Sequence, residues 1–148
     1  MAEITRKELV LALVGATTKP RLAGVDLSAI SLHRLDLEGA NLRGANLSAS
    51  NLQEAILRST NMTGANMQVT QLPYADLNSA NLTVANATGA NMQGARLTAA
   101  NMSNMILNGA NLKDADMKGA NVSGIKFDEM TTWPDGKKGS AGNPASYI

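Results

Sequence analysis

The side chains that most often do chemistry at neutral pH are histidine, cysteine and paired carboxylates. This chain of 148 residues holds one histidine, His33, and no cysteine. A Cys–His nucleophile is therefore out of reach, and so is a cluster of imidazole and thiolate metal ligands. Two carboxylate pairs, Asp36 with Glu38 and Asp114 with Asp116, have the two-residue spacing that puts both groups on one side of an extended segment. Such a pair can divide acid and base work between its members when a cleft holds substrate between them. Nothing in the flanking sequence builds that cleft, and a solvated face is the better reading. A phosphate-binding glycine loop, a dinucleotide fingerprint and a calcium-loop pattern are also missing from the sequence. The expectation is a protein that is not an enzyme and uses no metal and no cofactor.

What positions these residues is a repeat of period five. From Leu22 to Phe127 every fifth residue belongs to one series, and 19 of its 22 members are leucine or methionine. Alanine precedes this centre by two residues in 13 units, Asn or Asp by one residue in 15, and glycine follows it by two in nine. The consensus unit is A-N-L-x-G. Five residues turn an α-helix through about 500°, so the centres would scatter around it. In a flat strand an odd period sends successive centres to opposite faces. The apolar positions instead alternate in steps of two and three. A two-residue step keeps both side chains on one side of an extended segment, and a three-residue step containing Gly or Ser turns a corner. A chain that turns the same way at every corner coils around its own alanines and leucines. His33 follows a centre and so points outward, as an ordinary surface histidine. The six N-x-S/T sequences, at Asn46, Asn61, Asn81, Asn86, Asn101 and Asn121, look like a glycosylation signature but arise from the same pattern and say nothing about secretion.

The stretches GANLRGANL and DADMKGANV resemble the units of pentapeptide repeat proteins, which are abundant in cyanobacteria. The resemblance covers residues 20–129. It implies an all-β solenoid, a right-handed quadrilateral β-helix with four pentapeptides per coil. The repeat would then make about five and a half coils, a rod of about 26 Å at roughly 4.8 Å per layer.

Four units per coil stack Leu27, Leu47, Met67, Ala87, Leu107 and Phe127 on one face. Ala87 should leave a hole there, and the neighbouring inner position in the next coil is Met105 instead of alanine. Methionine fills irregular gaps in cores, so Met105 is expected to fill the space beside Ala87. Residues 1–19 are expected to form an N-terminal cap. Within it, Thr5 to Glu8 (TRKE) reads as a capping box opening a short α-helix to about Val14, with Gly15 as its stop. Residues 130–148 are expected to form a C-terminal cap and a flexible tail, with Trp133 folding across the last coil and residues 137–148 loose.

The balance of 13 basic and 12 acidic residues gives no electrostatic footprint for nucleic acid or an anionic membrane. The apolar run at residues 9–14 is far too short to span a bilayer, and Glu3 and Glu8 beside it make a poor signal peptide, so a cytoplasmic protein is expected. Some pentapeptide repeat proteins mimic DNA and regulate DNA gyrase or another topoisomerase. That alternative needs a strongly acidic rod, whereas residues 20–129 carry eight basic and nine acidic groups, and the centres here are leucine instead of phenylalanine. The preferred reading is a non-catalytic scaffold with a protein partner. Its expected interaction face joins His33, Arg34, Glu54 and Tyr74 to Ile56 and Arg58. Ile56 stands where the repeat has Asn or Asp and should expose an aliphatic side chain, and an aromatic among charged and apolar neighbours is a typical binding anchor.

Overall fold

A computed structural model describes residues 4–14 and 18–148. Every fifth residue from Gly24 to Gly124 has a left-handed backbone, with φ between +50° and +70°. Glycine takes this conformation freely, yet twelve of these corners carry side chains, including the β-branched Val69 and Val84. Hydrogen bonding between coils holds them there. Almost every corner is a four-residue turn closed by a bond such as Val25 N–H to the Leu22 carbonyl, 3.2 Å. The centre and corner amides then both donate to the next coil, as Leu27 does to Asn46 O at 2.7 Å and Ala29 to Ser48 O at 2.9 Å. The Asn46 amide donates back to Val25 O at 3.0 Å. Repeated along the chain, this joins residues 20 apart through parallel bridges, from Arg21 with Asn41 to Ile106 with Lys126. Four bridges complete one circuit, so the chain is a solenoid of 20-residue coils. A corner flanks each bridge on both sides, and the bridges stay isolated instead of merging into longer strands.

The interior is narrow and closed to solvent. Every centre from Leu27 to Leu112 has 0% exposure, and each buried leucine contributes about 1.5–3 kcal/mol. Ser50, Thr60 and Thr70 take inner positions most often held by alanine. Their hydroxyls donate to the carbonyls of Leu47 (2.6 Å), Leu57 (2.8 Å) and again Leu47 (2.7 Å), which offsets the cost of burying them. Outside, the Asn before each centre accepts the amide two residues on, as Asn61 does from Thr63 and Asn81 from Thr83, both at 3.1 Å. This Asx geometry braces the corner. Its side-chain amide also reaches the preceding coil, Asn66 to Asn46 at 3.2 Å and Asn121 to Asn101 at 3.3 Å.

At the N-terminal end lies helix α1, Arg6–Val14. Thr5 and Glu8 form the reciprocal capping box, with Glu8 N donating to Thr5 Oγ1 (3.2 Å) and Thr5 N to Glu8 Oε2 (2.7 Å). Leu9 is buried in the same core as the coils. The stop expected at Gly15 lies outside the described residues. The first coil has no coil before it to occupy its outward carbonyls, and side chains take over that task. The Arg6 guanidinium donates to Ser31 O at 2.7 Å and His33 O at 3.0 Å. One coil later, the equivalent carbonyls of Asn51 and Gln53 accept from the amides of Leu32 (2.6 Å) and Arg34 (3.0 Å). Arg6 thus reproduces the bond pair of an absent coil, and Lys19 Nζ does the same for Glu38 O at 3.3 Å.

The coil runs past residue 129. Asn111 pairs with Thr132, a spacing of 21, so one extra residue falls within 128–131. The Asp128 carboxylate braces it by accepting the amides of Gly109 (2.8 Å), Met130 (3.0 Å) and Thr131 (3.1 Å). Trp133 thereby enters a centre position, fully buried, with its Nε1 donating to Gly139 O at 2.8 Å. Phe127 meets the indole edge-on at 5.0 Å and Tyr147 stacks on it at 6.0 Å. The tail expected to be loose instead forms two 3-10 turns, Gly139–Ala141 and Pro144–Ser146, around this indole. So large a ring at the mouth of a narrow core needs cover, and the chain approaches so closely that a side chain at Gly142 would overlap it.

Met105 and Ala87 are both fully buried, and the Ala87 amide donates to the carbonyl of Ile106, the residue after Met105. Met105→Ala is expected to cost about 2–5 kcal/mol, read as a lower Tm, and an unchanged Tm rejects the idea that Met105 fills the space beside Ala87.

Asp135 accepts from Lys137 Nζ at 2.6 Å and from the Tyr147 hydroxyl at 2.9 Å. The Lys137 hydrogen bond is the main cause that lowers the Asp135 pKa from 3.8 to about 2. A carboxyl lowered on folding adds stability that is present above its unfolded pKa and lost as pH falls through the folded one. Acidification from pH 3.8 to about 2 is therefore expected to loosen Tyr147 from Trp133, read by tryptophan fluorescence, and Asp135→Asn is expected to flatten that titration.

Candidate functional site

The repeat sorts its charges by face. On two adjacent faces, residues 40–50, 60–70, 80–90 and 100–110, the sole charged side chain is Arg43. Over the same coils the other two faces hold the remaining ionic groups, and cross-coil stacking pairs several of them. Arg21, Asp26 and Lys126 stand on the first two faces near the ends of the rod. Arg34 and Glu54 occupy successive left-handed corners, with φ of +56° and +55°, and Arg34 Nε donates to Glu54 Oε2 at 2.7 Å. This bond is the main cause that lowers the Glu54 pKa and raises that of Arg34. On the neighbouring face Arg58 bonds Glu38 at 3.2 Å and approaches Asp76 at 3.9 Å, which in turn lies 3.6 Å from Arg96. Each pair is solvated, so its contribution to stability is small, but together they hold side chains of opposite sign in register along the rod.

Tyr74 takes the next corner after Glu54 and is 59% exposed. Its ring lies over Gly94, one coil on, where an added Cβ would come within 2.5 Å of two ring carbons. The absence of a side chain at that corner lets the ring lie along the column of corners. Ile56 stands in the bridge column between Asp36 and Asp76. It is half-buried, which corrects the expectation of an exposed aliphatic group: stacked neighbours on both sides shield it. His33 is also half-buried, with Nδ1 3.0 Å from Gln53 O, and so takes part in coil stacking instead of standing free. The structure thus gathers Arg34, Glu54 and Tyr74 into one corner column, with His33 beside them. Ile56 and Arg58 lie on the adjoining face. The segregation of charge onto two faces was readable in the sequence once residues were sorted by intervals of 20.

Among the described residues, no three His, Cys, Asp or Glu side chains converge to hold a metal ion. An open groove of about 780 Å³ runs between α1 and the first coil, lined by Val10, Leu13, Val14 and Leu35 with Asp36 and Glu38 at its rim. It lies outside the coil, whose interior is filled. No helix among the described residues is long and apolar enough to cross a membrane.

Stacked coils of fixed period around a filled core, with polar side chains on rigid sides, define a repeat solenoid. More specifically, the chain belongs to the pentapeptide repeat family, whose profile, pentapeptide repeats, matches in eight copies over residues 21–58, 30–68, 61–104 and 95–129. Among solved structures it is similar to Rfr23, a pentapeptide repeat protein from the cyanobacterium Cyanothece 51142, at 32% identity, 78% of this chain, 88% of that chain and a TM-score of 0.56. It is also similar to alr5209, a pentapeptide repeat protein from Nostoc PCC 7120, at 26% identity, 84% of this chain, 96% of that chain and a TM-score of 0.62. No curated protein matches the chain.

Gly94→Ala places a side chain both in a left-handed corner of φ +63° and against the Tyr74 ring. The expected cost is about 1–2 kcal/mol, with displacement of the ring read from the Tyr74 ring-proton shifts, and unmoved shifts would contradict the packing described.

Proposed function

We propose that this chain is a right-handed, four-sided β-helix that acts as a non-catalytic scaffold and binds a protein partner on its charged side. The contact centres on Tyr74, with Arg34, Glu54 and His33 along the same corner and Ile56 and Arg58 on the adjoining face. The observation that carries this reading is the exposure of Tyr74: a large aromatic is 59% accessible on a rigid corner, beside cross-coil ion pairs. Aromatic side chains held in place lose little entropy on binding and are frequent anchors, while a rim of paired charges excludes wrong partners. The coil needs no change of shape to present them. Mimicry of DNA at a topoisomerase is the weaker alternative, because the repeat carries eight basic against nine acidic residues.

The test is affinity capture from the source cell with the intact chain and with the double variant Tyr74→Ser, Ile56→Asn. Serine already occupies the equivalent left-handed corners at Ser59 and Ser79, and Asn restores the repeat consensus, so the fold is expected to persist. Recovery of the captured partner is expected to fall by about tenfold or more. Equal recovery by both proteins rejects this face.

A further inference from the structure

The two ends of the rod are finished differently. At the first coil, Arg6 and Lys19 occupy outward carbonyls that an earlier coil would have used. At the last coil, three of the four faces have no such substitute. In the interior, Leu97 N donates to Asp116 O at 2.7 Å, Ala99 N to Lys118 O at 2.9 Å, and Ala95 O accepts from Asp116 N at 3.0 Å. Moved on by 20 residues, the same set of groups is unpaired: the amides of Met117, Gly119, Val122, Gly124 and Phe127, and the carbonyls of Ala115, Ala120 and Ile125. The fourth face differs, because Thr132 there is covered by an antiparallel bridge to Lys138. Val122, Ile125 and Phe127 are only half-buried, whereas the interior centres are fully buried. Free donors and acceptors therefore line one edge of 13 residues, Ala115 to Phe127, and apolar surface joins them over Val122 to Phe127, Met117 being already covered.

We propose that this edge is a second binding site, independent of the charged face, which takes one extended segment of another protein as a further partial coil. Addition of a strand to an open edge draws its affinity from main-chain bonds and its selectivity from the side chains that alternate inward. Here the register dictates the occupant. Each of its units must place a small residue and then an aliphatic one inward, with a polar residue between and a left-handed corner every fifth position. That is the A-N-L-x-G pattern itself, so the partner is a chain that carries pentapeptide units. The first coil of a second copy fits less well, because its inner residues are Val25, Ile30 and Leu35 instead of alanine, and its Ser31, His33 and Glu38 carbonyls are held by Arg6 and Lys19.

The probe is a synthetic peptide with the sequence of residues 75–89, ADLNSANLTVANATG, which spans the same three faces and brings an alanine against Phe127. Added to the full isotope-labelled chain, it is expected to slow hydrogen exchange at the amides of Met117, Gly119, Val122, Gly124 and Phe127 by about tenfold or more, leaving interior amides unchanged. The same peptide methylated on the second backbone nitrogen of each unit loses its donors to Ala115, Ala120 and Ile125 and is expected to bind at least about tenfold more weakly. Val122→Pro removes an amide that has no partner, so it should weaken binding similarly at unchanged Tm. The methylated peptide decides the matter if that variant does not fold. No protection at millimolar peptide, equal protection by the methylated peptide, or self-association that protects the same five amides without peptide would each overturn the proposal.

Discussion

The left-handed residue at every fifth position is the constraint from which the rest of the rod follows. It reverses the chain soon enough that only a single bridge forms on each face, and it turns the centre and corner amides the same way along the axis. Each unit thereby gains two bonds to the coil ahead. With corners this frequent, the enclosed space fits alanine, leucine and methionine and little else. Twelve corners adopt the conformation without glycine. A left-handed residue with a side chain costs roughly 1–2 kcal/mol, so the lattice of inter-coil bonds and buried centres must outweigh local preference at Val69, Tyr74 and Val84.

Much of this was legible because it repeats. The interval between centres, the small inner residue and the Asn that braces each corner all recur, and a pattern that recurs reports what every unit has in common. The capping box at Thr5 and Glu8 was legible for a different reason, since both partners lie within one turn of helix. What escaped were single events. Trp133 reaches a centre position through one extra residue, and the segment after it wraps the indole. Nothing periodic announces either. Arg6 acts on carbonyls 25 and 27 residues away, where its own neighbours give no hint. Ile56 looked exposed because the repeat marks its position as outward, but outward positions differ in how closely the stacked coils shield them.

The candidate binding side draws on the same stacking. Residues 20 apart become neighbours, so Arg34 and Glu54, or Glu38 and Arg58, pair without any local relation in sequence. Several ionic groups are neutralised close to where they stand, and through the middle coils the other two faces are almost free of charge. The rod therefore has a sidedness that its overall charge conceals. Tyr74 owes its position to an omission one coil away: the corner at Gly94 has no side chain to lift the ring.

The 20-residue circuit also governs how such a molecule can change over generations. Loss or gain of a whole circuit alters length and leaves every column intact. Loss of a single pentapeptide still preserves the core, since one unit is much like another inside, but it rotates everything downstream by a quarter turn. A loss between Arg34 and Glu54 would part that pair, and one between Tyr74 and Gly94 would take the ring off its glycine. Selection for folding alone is blind to that rotation, whereas selection for a working surface is not. Lineages that keep their length in whole circuits are thus the ones whose outsides matter, and the one odd residue tolerated here lies at the far end, where little remains downstream to be turned.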